Sequence, residues 1–179
     1  GSVVVNEAAK TRIDSTLKAM VDNRKIAGVS ALIVENDKEV YFNSFGDADR
    51  EQGKAFDRNT IVRIYSMTKP ITGVALMQLY EKGLFQLDDP LSKYLPEYAD
   101  MKVATGKDAK DQLILVPANR QITVRDITRH TAGFAGGGDP NLGAMVREAD
   151  VMNYNNTLDI MSQKLAKLPL AFHPGEQWA

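Results

Sequence analysis

Cysteine is absent from the 179-residue chain, which removes disulfides, thiolate metal sites and thiol nucleophiles together. The compartment stays open, cytoplasmic or else periplasmic or secreted with a signal removed, because reducing and oxidising locations both tolerate a cysteine-free protein. Histidine occurs only as His130 and His173. Neither lies near a Gly-x-Ser-x-Gly elbow, which the chain lacks, and this argues against an α/β-hydrolase triad. No His/Asp/Glu spacing has the form of a catalytic metal site, and no cofactor is expected. Excess charge of one sign is also missing: 22 basic against 23 acidic residues leave no footprint for nucleic acid or an anionic membrane. No apolar run approaches the ~18–20 residues of a membrane span. The N-terminus shows no secretory pattern, and Gly1-Ser2 reads as an expression scar.

What remains is an ordinary globular composition, 44% apolar and 25% charged, of a length for roughly one domain. Glu7 to Asn23 reads as a helix with Ala9, Ile13, Leu17, Met20 and Val21 on one face. Val29–Val34 and Val40–Phe42, separated by Asn36-Asp37, read as a hairpin. Gly46 to Thr60 reads as a polar loop and Ile61–Tyr65 as a short strand-like run. From Met67 a helix apolar on most faces is expected to be buried, with Pro70 in its first turn and Gly83 just past its end. Asp88-Asp89-Pro90 opens another helical piece through Tyr94, and Met101–Asn119 reads as a surface excursion. Thr123-Val124-Arg125-Asp126 has the capping pattern of a short helix ending near His130. Gly136-Gly137-Gly138 reads as a flexible loop, and a last helix spans about Thr157–Leu168. This order of elements gives an α+β fold. The final Pro174-Gly175 turn leads into nothing further, and a fragment is expected.

The chemistry rests on Ser66-Met67-Thr68-Lys69. The bare Ser-x-x-Lys pattern is weak, since seven serines and thirteen lysines give roughly half a match by chance. Ser15-Thr16-Leu17-Lys18 is a second match, placed mid-helix on a polar face where both side chains would be solvated. Ser66 instead stands where an apolar run meets a helix N-terminus, with free N–H groups and partial positive charge. Lys69, three residues on, returns to the same face. Lost hydration and the helix N-terminus are expected to lower its pKa toward that of a base able to take the serine proton. The bland alternative is a serine that only caps the helix beside a surface lysine.

Ser66-Met67-Thr68-Lys69-Pro70 with Ile71-Thr72-Gly73-Val74-Ala75 resembles the nucleophile helix of the serine β-lactamase and penicillin-binding superfamily. The class C-like branch with the family VIII carboxylesterases is the closest in flavour. Gly83–Leu91, Ile122–Phe134 and Phe172–Trp178 resemble further segments of that family in order, so the likeness covers about residues 7 to 179. It implies a β-lactamase/transpeptidase-like α+β fold, an antiparallel sheet flanked by helices plus a helical subdomain, cut short before its C-terminal strands. Residues 3–179 would then be the N-terminal part of a serine hydrolase domain, with the nucleophile region at 65–84 and the helical subdomain at 85–179. The family's Tyr-x-Asn or Tyr-x-Ser motif, which follows Pro-Gly-x-x-Trp, and its later Lys-Thr-Gly-like strand are missing. Tyr154-Asn155-Asn156 fits the tyrosine pattern but precedes that turn, and reads as a decoy with an Asn capping the next helix.

The resemblance thus implies Ser66 as nucleophile and Lys69 as proton acceptor or relay. Tyr154 and Trp178 are weaker choices for the pocket rim, and both histidines are structural. The expected activity is ester cleavage through an acyl-enzyme, with weak β-lactam hydrolysis beside it. A β-lactamase or D-Ala-D-Ala carboxypeptidase is the alternative within the enzyme class, and a catalytically silent binding or scaffold member the alternative outside it. The expected partners are a small ester or β-lactam substrate and a complementary C-terminal polypeptide carrying the catalytic tyrosine. Without that complement the chain is expected to fold poorly, because a two-stranded hairpin is marginal alone.

Overall fold

The computed structural model describes residues 5–179, so Gly1 and Ser2 lie outside the described residues. The chain forms two compact units, one ending at Tyr65 and the other beginning at Ser66.

In the first unit Asn6 caps helix α1 (Glu7–Asp22) by accepting from the Ala9 N–H at 2.9 Å. The helix places Ile13, Leu17 and Val21 half-buried, as the 3.6-residue period requires. Asp14 accepts hydrogen bonds from the Tyr41 hydroxyl at 2.6 Å and the Asn43 amide at 2.9 Å. Burial and this carboxylate push the Tyr41 pKa up to about 12. Strands β1 (Gly28–Glu35) and β2 (Lys38–Asp49) pair antiparallel, joined by Asn36 and Asp37 at φ 51° and 59°, the left-handed pair that suits a two-residue hairpin. The expected loop from Gly46 is therefore partly wrong. β2 continues to Asp49, and β3 (Lys54–Ala55) adds to it. Ladder bonds need only backbone, and Gly28 sits opposite Gly46, where a Cβ on Gly28 would meet the Asp47 carbonyl at 2.5 Å. Ile61–Tyr65 forms no strand. No described strand offers it a ladder, and Ile61 is 97% exposed.

The second unit opens with a 3-10 turn reached from Tyr65 and helix α2 (Thr68–Glu81). Gly83, at φ 70°, ends that helix: its N–H donates to the Tyr80 carbonyl and that of Leu84 to the Leu79 carbonyl, a Schellman closure. The expected helical piece after Pro90 is two 3-10 turns, Leu91–Lys93 and Pro96–Tyr98. Met101–Asn119 is not a surface excursion. It carries the hairpin β4 (Lys102–Lys107) and β5 (Leu113–Pro117), and Met101 and Val103 lie in the core with Leu91, Tyr98, Ile122, Ala132 and Leu170. Leu170 is fully buried and exchanges backbone bonds with Lys102 and Ala104. The helices α3 (Val124–Thr128), α4 (Gly143–Ala149) and α5 (Leu158–Ala166) complete the unit. α3 carries the expected capping box between Thr123 and Asp126, whereas Thr157, not Asn156, caps α5.

Candidate active site

The turn Tyr65–Met67 delivers Ser66 to the start of α2, and Tyr65 holds φ at 44°, a conformation unfavourable to a bulky residue. The cap position of α2 is Met67, which makes no side-chain cap bond. Ser66 is therefore not a capping serine. Its Oγ accepts instead from Lys69 Nζ at 2.9 Å, one turn along the same helix face. The other Ser-x-x-Lys match behaves differently. Ser15 Oγ donates to the Thr11 carbonyl at 2.6 Å, and Lys18 turns to Asp22, also at 2.6 Å. Two identical spacings thus give one serine held by a lysine and one absorbed by its own helix.

The expectation that α2 is buried does not hold. It contains no buried residue, Ile71 and Val74 are more than half exposed, and Ser66 and Lys69 are exposed. A helix apolar on most faces needs cover from several sides, and no described element of its own unit packs extensively across it. The dry setting expected for Lys69 is accordingly not supplied by the described residues.

Tyr154 and Trp178 are 93% and 76% exposed, and among the described residues no hydrogen bond or ring contact joins either to Ser66 or Lys69. Around Tyr154, Asn153 and Asn156 bond the backbone of the 150–156 loop, and Lys164 Nζ donates to Asn156 Oδ1 at 3.0 Å. Trp178 lies beside His130, ring centroids 6.0 Å apart. His173 Nδ1 accepts from the Asn119 N–H at 3.1 Å.

The group that sequence reasoning passed over is Asp126, which it read only as a capping acid. It is 1% exposed and accepts from Arg120 Nη1 and Nη2 at 2.5 and 3.0 Å, and from the Thr123 N–H and both the Thr123 and Thr131 hydroxyls at 2.9 Å. Burial pushes its pKa up, but the bonds from Arg120 and the two threonines outweigh it and hold the carboxyl well below the usual range. The capping pattern was visible, while the long reach of Arg120 carries no sequence signal. Among the described residues no cluster of His, Asp and Glu could hold a metal, and no helix is long and apolar enough to cross a membrane.

Residues 13–179 match the family Beta-lactamase. Protein Rv1367c of Mycobacterium tuberculosis is 32% identical over 164 residues, which are 91% of this chain and 40% of that protein. Esterase EstB of Burkholderia gladioli is 28% identical over 174 residues, 93% of this chain and 41% of EstB. Among solved structures, EstCE1, described as a hydrolase with promiscuous acyltransferase activity, superposes with a TM-score of 0.74 at 27% identity, covering 94% of this chain and 42% of EstCE1. The chain spans about 40% of the length of these two curated relatives. Its helices and antiparallel sheets are those of the β-lactamase/transpeptidase-like fold, and the chain belongs to the Beta-lactamase family.

Proposed function

We propose that the complete protein is a serine hydrolase that cleaves carboxylic esters through an acyl-enzyme on Ser66. The observation that carries this reading is the 2.9 Å contact between Lys69 Nζ and Ser66 Oγ, in a serine that does not cap its helix. In the neutral amine form Lys69 takes the hydroxyl proton as Oγ bonds to the ester carbonyl carbon, which makes the serine a competent nucleophile. The tetrahedral intermediate collapses, the C–O bond to the alcohol breaks, and the proton on Lys69 passes to the departing oxygen. Water, giving a proton to the same amine, then attacks the acyl carbon. As the bond from that carbon to Ser66 Oγ breaks, the proton passes from Lys69 to Oγ, which frees the acid and restores both the serine hydroxyl and the neutral amine. The start of α2, which lacks a side-chain cap, offers N–H groups to the developing oxyanion.

Family membership and the esterase relative support hydrolysis of an acyl group, and preference for esters over β-lactams is the finer proposal. A tyrosine of the Tyr-x-Asn/Ser type, assisting proton transfer, is assigned to the remainder of the complete protein. The matched relatives are themselves longer chains, of which this one spans about 40%, and a separate complementary polypeptide, expected from the sequence, has no support. The test compares hydrolysis of a p-nitrophenyl ester and of nitrocefin by the complete protein and by Ser66→Ala. Ester turnover lost in the variant, fluorophosphonate labelling at Ser66 and slower nitrocefin turnover are expected. Unchanged hydrolysis by Ser66→Ala would remove the assignment.

A further inference from the structure

Five hydrogen bonds converge on the buried carboxylate of Asp126, far more than a capping box needs, and the proposed reaction makes no use of them. Their donors lead to the last residues of the chain. Thr131, whose hydroxyl donates to Asp126, uses its carbonyl to accept from the Gly175 N–H at 2.8 Å. Arg120, paired to the same carboxylate, lies against Gly175 so closely that any Cβ there would collide with its guanidinium. Gly175 also holds φ at 90°, so only glycine fits this turn without strain. On either side the chain is tied again. Ala171 donates to Gly133, Asn119 to His173, and Ala179 to the His130 carbonyl at 3.1 Å. His130 and Gly133 themselves sit at φ 61° and 95°. Residues 171–179 are therefore laid along 119–133, which are gathered around one anion.

We propose that Asp126 and Arg120 are positioning residues of the active site: the Asp126–Arg120 clasp fixes the course of residues 171–179 and thereby the placement of the catalytic group that follows the Pro-Gly-x-x-Trp segment. This rests on the serine-hydrolase reading. The clasp touches no substrate and acts through Gly175. Asparagine at 126 would turn one acceptor into a donor facing the cation and hydroxyls already there. Lysine at 120 would lose the two-pronged bond to the carboxylate.

The test uses the complete protein as wild type, Asp126→Asn, Arg120→Lys, Gly175→Ala and Ser66→Ala. The readouts are kcat and KM on a p-nitrophenyl ester per fluorophosphonate-titrated site, the pH–rate profile, and amide exchange across 171–179. The three clasp variants are expected to lose about ten- to a hundred-fold in kcat, with KM within about two-fold, an altered pH profile and faster exchange at Gly175 and Ala179. Gly175→Ala strains the clasp from its far side, so the test stands even where Asp126→Asn does not fold. Unchanged exchange in every soluble clasp variant overturns the inference. So does faster exchange with full turnover per titrated site, the result of a merely structural role. In both cases an inactive Ser66→Ala shows that the serine reading survives. Full activity in Ser66→Ala overturns that reading and the inference with it.

Discussion

At the scale of single residues, the difference between Ser15 and Ser66 is a difference in available partners. A serine inside a helix finds the carbonyl four residues back, as Ser15 finds Thr11, and its hydroxyl is occupied. Ser66 precedes α2, where no such carbonyl is presented, and Lys69 becomes its partner. The four-residue pattern was plain in the sequence, but which match carries chemistry followed from its place at a helix start. Lys69→Arg separates charge from proton transfer, since guanidinium stays protonated and keeps the donor. It should lower kcat on a p-nitrophenyl ester by about 10²–10⁴-fold with KM little changed. Retention of kcat would mean that Lys69 only orients the serine.

At the scale of elements, what could be read in advance was what is locally encoded. The α3 capping box, the Gly83 closure of α2 and the Asn36-Asp37 turn each depend on residues within a few positions of one another, and each is formed. The β4–β5 hairpin was misread because its strands are short and partly polar, and Val103 becomes a core residue only when Leu170 bonds alongside. α4 escaped notice because it has seven residues and no side-chain cap. The hairpin turn also gives a prediction. Asp37 occupies φ 59°, so Asp37→Gly, creating Asn-Gly, removes a left-handed side chain from a turn that favours this pair. A gain of about 0.5–1 kcal/mol is expected, seen as a higher urea midpoint. A loss would show that Asp37 contributes more than its backbone.

For the whole molecule, the lowered carboxylates lie unevenly. Asp126 is held low by Arg120 and the threonines against its burial. Asp89 is held at about 2, chiefly by the Tyr94 hydroxyl, then by the Gln86 N–H and Lys93, and both belong to the second unit. A carboxylate with a folded pKa below its unfolded value of about 3.9 adds stability that is fully present above that value and lost as pH falls through the folded pKa. The thermal midpoint should therefore hold between pH 7 and 5 and drop from about pH 4 downward, with amide exchange rising first in residues 66–179. Asp126→Asn should flatten that drop. Asp89, whose partners Lys93 and Tyr94 are themselves exposed to solvent screening, should contribute less. The far end of the same arrangement has an optical consequence. Trp178 is the sole tryptophan, and its indole rests beside His130 at the last tie of the 171–179 segment. Within these 179 residues all indole emission originates at one end of the clasp, a native fluorophore whose intensity and wavelength report whether that segment is seated.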